Sequence, residues 1–308
     1  MKRPLMIVGT SALVAGLTAC GGDGSSSGST GTVSFDIADA PTVSFSEVVV
    51  TFTGVRLRHA DGDWLEYTFS EPKSWNLLTL QGGNSATLLD EQEVPAGEYT
   101  ELRLLVDTDA SYVAESSQPD VQQTLAVPSG EQSGLKLKGR FVVAADTRTD
   151  FTVDFDVAKS IVNPEGPSLG DYLLKPVLRL VNNLEVGSIS GNVDYVTLQS
   201  VRLSDTEQAD CAYSGAVYVY EGADVTPTDL NVNAETDGPL LVVPVSDDDN
   251  DGQYRYTAAF LPAGDYTLGY SCQLDDNETD DVLEFDGIQT VTVVAGNETI
   301  AAPIPLQP

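Results

Sequence analysis

The chain has 308 residues and carries 47 acidic side chains against 15 basic ones, a formal net charge of −32, with one His and three Cys. That balance excludes a phosphate-tracking nucleic-acid surface and a polybasic grip on anionic lipid, and the Cys and His are too few for a zinc site. At 41% hydrophobic the chain can still bury ordinary cores, and its length suits about two domains rather than a disordered acidic tail.

The first elements are processing signals. Lys2 and Arg3 precede an apolar stretch over residues 4–17 that is too short to span a bilayer with ease. Leu17-Thr18-Ala19-Cys20 comes next and resembles the lipobox of bacterial lipoproteins. The resemblance implies a signal peptide over residues 1–19, cleavage before Cys20 and acylation of Cys20. An ordinary signal peptide with an incidental Cys, or an uncleaved anchor, are the alternatives. Gly21 after Cys20, in place of Asp, resembles lipoproteins sorted to the outer membrane. Residues 20–31 are the acylated Cys and a Gly/Ser tether (GGDGSSSGSTG) that holds the first domain roughly 15–20 Å from the membrane.

Alternation of period two dominates from residue 32 on, so the remainder reads as all-β. Val33, Phe35 and Ile37 share one face of the first strand, and Val48, Val50 and Phe52 share a face of the second. Gly54 reads as a bulge, because Val55 and Leu57 continue the apolar face out of phase while Arg56 and Arg58 point away. Asp61-Gly62-Asp63 turns the chain into a return strand at Trp64-Leu65-Glu66-Tyr67. Leu102, Leu104 and Val106 alternate with Glu101 and Arg103, and Leu135 and Leu137 with Lys136 and Lys138. Phe151, Val153, Phe155 and Val157 alternate with Thr152, Asp154 and Asp156, which this pattern turns toward solvent. Pro176 within Leu173-Leu174-Lys175-Pro176-Val177 marks an edge strand or bulge.

A shift in composition divides the chain near residue 187. Residues 32–187 hold 24 acids and 11 bases, net −13, whereas residues 188–308 hold 22 acids and only Arg202 and Arg255, net −20. The expected fold is therefore two tandem β-sandwiches, of immunoglobulin-like or transthyretin-like design, over 32–187 and 188–308. Both contain one motif, Pro95-Ala96-Gly97-Glu98-Tyr99-Thr100 and Pro262-Ala263-Gly264-Asp265-Tyr266-Thr267, in which a Pro-x-Gly turn launches a strand whose Tyr faces inward.

The first of these segments resembles the bacterial lipoprotein family of domain of unknown function 4382. The marks are Asp39-Ala40-Pro41, Val94-Pro95-Ala96-Gly97-Glu98-Tyr99, Val127-Pro128-Ser129-Gly130, Ser133-Gly134-Leu135-Lys136-Leu137, Asp154-Phe155-Asp156 with Lys159-Ser160, and Leu174-Lys175-Pro176-Val177. They run in order over about residues 31–182 and imply no activity. The second segment resembles carboxypeptidase-regulatory-like, transthyretin-like sandwiches through Asp251-Gly252-Gln253-Tyr254 and Phe260-Leu261-Pro262-Ala263-Gly264-Asp265-Tyr266. Such domains support, space or bind rather than catalyse.

Candidate sites are few. With Cys20 acylated, Cys211 and Cys272 remain for a disulfide in an oxidising compartment, free buried thiols being the alternative. Asp247, Asp249, Asp251 and Gly252 match the first half of a calcium loop, but Ala258 stands where a bidentate Glu belongs; ligands from the acidic loop Asp275–Asp281 would have to complete it, and a solvated acidic turn is the alternative. Asp154 and Asp156 are spaced about 7 Å apart on one strand face, a separation at which paired carboxylates cleave glycosides. His59 is the one His, at a hairpin end with no nucleophile elbow near it in sequence, and reads as an exposed turn residue. Tyr218, Tyr220, Tyr254 and Tyr256 are candidates for a flat aromatic platform for sugars, or for ordinary strand filling.

These features read as a non-enzymatic lipoprotein of the bacterial outer membrane. It is held there through Cys20, with periplasmic or surface-facing domains that serve as an extracytoplasmic binding or structural module. No catalytic residue and no cofactor beyond candidate Ca²⁺ is expected. The partners expected are the membrane and an envelope protein or polysaccharide, with no nucleic acid. The alternatives are a calcium-dependent adhesion or glycan-binding module and a carboxylate-based glycan hydrolase.

Overall fold

The computed structural model describes residues 29–40, 45–128, 133–164, 170–194, 197–198, 215–234, 238–247, 249–273 and 275–305. The strands of the first half are β1 (Thr30–Ala40), β2 (Phe45–His59), β3 (Trp64–Asn76), β4 (Ala86–Pro95), β5 (Gly97–Glu115), β6 (Gln123–Ala126), β7 (Leu135–Val143), β8 (Arg148–Asp156), β9 (Ile161–Val162), β10 (Tyr172–Leu174) and β11 (Leu178–Asn182). Those of the second are β12 (Val186–Val193), β13 (Ala216–Glu221), β14 (Leu241–Pro244), β15 (Tyr254–Pro262), β16 (Gly264–Ser271), β17 (Asp286–Val293) and β18 (Glu298–Ile300). The two short helical elements are the 3₁₀ turn Leu77–Leu80 and the single turn Val157–Ser160.

The first half closes as a sandwich. One sheet has the order β11-β8-β1-β4 and the other β3-β2-β5-β6-β10-β9, with β7 added beside β5. Their inner faces share one core: Val33, Phe35 and Ile37 of β1 and Val153 and Phe155 of β8 meet Val48, Phe52 and Leu57 of β2 and Leu102 and Leu104 of β5. Aromatic rings clip the two sheets together. Phe35 stacks on Phe151 at 5.6 Å and meets Phe141 edge-on at 6.0 Å, while Phe141 stacks on Tyr99 at 5.2 Å. The register between β2 and its neighbours shifts between Phe52 and Gly54, so the bulge read from the sequence is present.

The second half repeats the plan with sheets β15-β12-β18 and β14-β13-β16-β17 over a separate core that includes Ile189, Val217, Val219, Tyr256, Leu268 and Val291. Part of the outer face of its larger sheet, around β13, is buried as well. Tyr218 and Tyr220 lie there at 0% and 3% exposure among Leu230, Phe285 and Ala158, the last contributed by the first half.

The repeated motif has one structural meaning in both halves. The Tyr99 hydroxyl donates to the Pro95 carbonyl at 2.7 Å, and the Tyr266 hydroxyl donates to the Pro262 carbonyl at 2.9 Å. Each Tyr buries its ring in a core and closes the turn that precedes its own strand. Gly97 sits at φ 148°, and a Cβ there would meet the His59 ring at 2.7 Å. Pro176 departs from expectation. It lies in the non-strand link between β10 of one sheet and β11 of the other, because a residue with no N–H suits a crossover better than a ladder.

Removing either hydroxyl leaves a part-buried carbonyl without its donor. Tyr99→Phe and Tyr266→Phe are each expected to lower stability by about 1–2 kcal/mol in urea unfolding, with an unchanged m-value.

Candidate functional site: the seam between the sandwiches

The parallel pairing of β1 with β8 sets Ala38 opposite Asp154, Asp39 opposite Phe155 and Ala40 opposite Asp156. Asp39, Asp154 and Asp156 are 4%, 4% and 9% exposed, which corrects the expectation that Asp154 and Asp156 face water. The cause is topological: β8 is interior to its sheet, and β11 beside it sets Arg179 directly opposite Asp154. Alternation holds along β8, but its second face is covered.

Each carboxylate is consumed locally. Asp39 accepts from Gln81 Nε2 at 3.0 Å and from the Val157 amide at 3.2 Å, tying the end of β1 to the turn after β8. Arg179 donates to Asp154 Oδ2 through Nε at 3.0 Å and through Nη2 as well. Asp156 caps the helical turn by accepting from the Lys159 amide at 3.1 Å, and its other oxygen lies 3.1 Å from Lys159 Nζ. Burial pushes the Asp39 carboxyl well above the usual carboxylate range, and Asp154 and Asp156 nearby add to that, against the bonds from Gln81 and Val157. Burial also raises Asp154, opposed by Arg179.

Lys159 then crosses to the second sandwich. Its ammonium donates to the carbonyls of Pro239 and Leu240, each at 3.0 Å. Beside it, Asn277 Nδ2 donates to the Ala158 carbonyl at 2.6 Å, and farther along the seam the Ala263 amide donates to the Glu185 carbonyl at 3.3 Å. A cleft of about 700 Å³ opens along this seam, lined mainly by Val177, Tyr220, Leu230, Val232 and Leu240 with Lys159 at one wall. Asp39, Asp154 and Asp156 do not line it. The pair Asp154 and Asp156 therefore holds the scaffold together, and neither lines the seam cleft or the cleft between β7 and β11. Arg179 does not stand out in the sequence, and Lys159 does so only as one mark of the family resemblance; the further signal is its place three residues after Asp156, a spacing that pairs charges within one helical turn.

The other candidates disperse. Asp247 accepts from the amides of Asp251 and Gly252 at 2.9 and 3.0 Å, and Asp251 pairs with Arg255 at 2.6 Å. Arg255 holds the Asp251 carboxyl below the usual range. Asp249 is 3.8 Å from the same guanidinium. The second acidic loop is laced to residues 229–233 instead: Asp275 accepts from Tyr218 and from the Leu230 amide, and Asp280 from Asn231. Among the described residues no group of three or more His, Cys, Asp or Glu has the geometry to hold a metal ion. Tyr218, Tyr220 and Tyr256 are buried, which corrects the sugar platform to strand filling. His59 is not an exposed turn residue, since its ring packs edge-on against Tyr99 at 5.1 Å. Cys272 is buried and disulfide-bonded, while Cys20, the signal peptide and Cys211 lie outside the described residues. No helix among the described residues is long and apolar enough to cross a membrane.

One family model matches part of the chain. The family described as Domain of unknown function (DUF4382) matches residues 30–176, just under half of the chain, a span that holds Asp39, Asp154, Asp156 and Lys159 but ends before Arg179. No curated protein matches. Among solved structures, the chain is similar to a leucine-rich repeat protein from Bacteroides thetaiotaomicron VPI-5482, at 14% identity and a TM-score of 0.23, over 91% of this chain and 26% of that one. It is similar to the TIE protein of Bacillus anthracis at 9% identity and a TM-score of 0.20, over 91% and 35%. It is also similar to GBS52, the minor pilin in the Gram-positive pathogen Streptococcus agalactiae, at 11% identity and a TM-score of 0.19, over 88% and 94%. The chain thus spans only a minor part of the first two, and these TM-scores lie below the level of a shared fold.

The buried carboxyl gives a pH signature. The folded state holds the Asp39 proton more tightly than the unfolded chain does. Its contribution to stability is therefore full below the ordinary Asp value of about 3.9 and is lost as pH rises from there to the raised value. Asp39→Asn is expected to remove that loss, so that the difference between variant and wild type in urea midpoint moves in favour of the variant as pH rises through this window.

Proposed function

We propose that the protein is a non-enzymatic extracytoplasmic module, held in the outer membrane through acylated Cys20, whose two sandwiches over 32–187 and 188–308 work as one rigid support that binds an envelope partner. The second sandwich is read as a support domain of the carboxypeptidase-regulatory-like kind, with Cys211 as the partner of Cys272. The observation that carries the proposal is the use made of buried charge. Asp39, Asp154 and Asp156 are tied up in hydrogen bonds that order the end of one sandwich, and Lys159 spends its remaining donors on carbonyls of the other. An enzyme of the carboxylate type needs such an acid facing its substrate, with a pKa kept apart from that of its partner. A support needs a seam that resists bending, and a part-buried ammonium on two carbonyls contributes to one.

Two measurements test this. Lys159→Met is expected to cost about 2–3 kcal/mol and to split a single unfolding transition into two, because Asp156 and both carbonyls lose a charged partner. One transition of unchanged midpoint contradicts the rigid support. Metabolic labelling with palmitate is expected to mark the wild type and not Cys20→Ala; label retained by that variant, or absent from both, contradicts the anchor.

A further inference from the structure

The net charge conceals a face of opposite sign. Of the 15 basic residues, six sit on the outer side of the sheet formed by β2, β5 and β7: Arg56, Arg58, Arg103, Lys136, Lys138 and Arg140. The register aligns them in rows. Arg56 is opposite Arg103, which is opposite Lys136; Arg58 is opposite Glu101, which is opposite Lys138. Directly opposed residues point the same way, with about 4.8 Å between strands, so these cations crowd one surface. Three carboxylates answer them, each at 2.7 Å: Glu66 on Arg56, Glu101 on Arg103 and Glu98 on Arg140. Among the described residues no carboxylate pairs with Arg58, Lys136 or Lys138. Trp64 lies at the border of the face, 39% exposed, with Arg103 4.3 Å and Arg58 5.8 Å from its ring centre.

The chain enters the fold at this end. The Ser29 carbonyl accepts from the Ala96 amide at 2.8 Å, next to Gly97, which pairs with Val143 at the end of β7. Along β7, Arg140 and Lys138 lie about 10 and 17 Å from Val143 at strand rise. The nine Cα-to-Cα steps from Cys20 to Ser29 reach at most about 32 Å.

We propose that this face docks on the anionic phosphate headgroup layer of the membrane in which the chain is anchored, so that the first sandwich lies against the bilayer and the acidic second sandwich projects from it. The inference rests on the reading of Cys20 as the anchor. Charge complementarity and the entry point of the chain both select this occupant. At physiological ionic strength a charge is felt over about 8 Å, so the local sign of the face governs docking and the overall −32 does not. This reverses the exclusion of a basic lipid surface drawn from composition. Trp64 suits the headgroup level, where amphipathic rings collect. At the free edge of β7 a cleft of about 560 Å³ opens toward β11, where Lys138 and Arg140 share the lining with Glu185 and with Arg179, which is bound to Asp154.

The test is the reactivity of lysine amines toward a water-soluble acylating reagent, read by mass spectrometry on the full chain. The chain is anchored in vesicles of phosphatidylglycerol with phosphatidylethanolamine, or of phosphatidylcholine alone. Lys136 and Lys138 are expected to react about fivefold more slowly on the anionic vesicles, with Lys175 unchanged as the exposed control. Protection is expected to vanish in high salt and to fall in Arg58→Gln, which removes the charge without setting a second carboxylate opposite Glu101. Equal reactivity on both vesicles overturns the proposal. Protection by a soluble anionic polysaccharide, with none on vesicles, overturns it in favour of a glycan partner. A chain that fails to float with either vesicle overturns the anchor reading alone. The reactivity is then measured on the unanchored chain with excess vesicles, where protection on the anionic ones supports the face and its absence overturns it.

Discussion

A lysine ammonium that gives up part of its water needs oxygen partners in exchange, and Lys159, a quarter exposed, finds them in two places at once. Asp156, three residues before it, supplies a carboxylate from the same turn, and Pro239 and Leu240 supply carbonyls from the other sandwich. The turn is fixed only because Asp156 caps it and Asp39 receives the Val157 amide. Asp39 and Asp156 are fixed only because β1 and β8 run parallel with Ala40 opposite Asp156. The relation between the two halves thus depends on a chain of polar contacts that starts in strand pairing. A part-buried charge loses charge-assisted hydrogen bonds when its partners move away, so these contacts favour one arrangement of the seam.

That chain of dependence explains what is legible in the sequence and what is not. Alternation gives the strands, the inward faces of β1, β2 and β5, and the bulge at Gly54, since period two needs no knowledge of neighbours. The Pro-x-Gly-x-Tyr repeat is visible as a turn, but its hydroxyl bond to the Pro carbonyl is a three-dimensional fact. Asp154 and Asp156 are wrongly assigned to water because alternation says that two faces differ, not that one of them is wet. Tyr218 and Tyr220 mislead for the same reason: the outer face of their sheet is covered by Leu230, Phe285 and Ala158, residues distant in sequence. His59 looks exposed at a hairpin end, yet Tyr99 across the strand pair receives its ring.

Charge shows the same limit of counting. The excess of acids is real, and in the acidic turn Asp247 is held by backbone amides and Asp251 by Arg255. Composition averages over surfaces, however, and a sheet sorts residues by register. Arg56, Arg103 and Lys136 are far apart in the chain and become one row only when β2, β5 and β7 align. A strongly acidic protein can therefore present a basic face, and screening lets that face act on its own.

The central claim is that the seam makes the two sandwiches one body. Its most direct test is the distance distribution between spin labels carried by unnatural residues at Val142 and Ile300, which are 59% and 77% exposed and lie in different sandwiches. The account predicts a single narrow distance in frozen solution. A broad distribution, or two resolved distances, would contradict it.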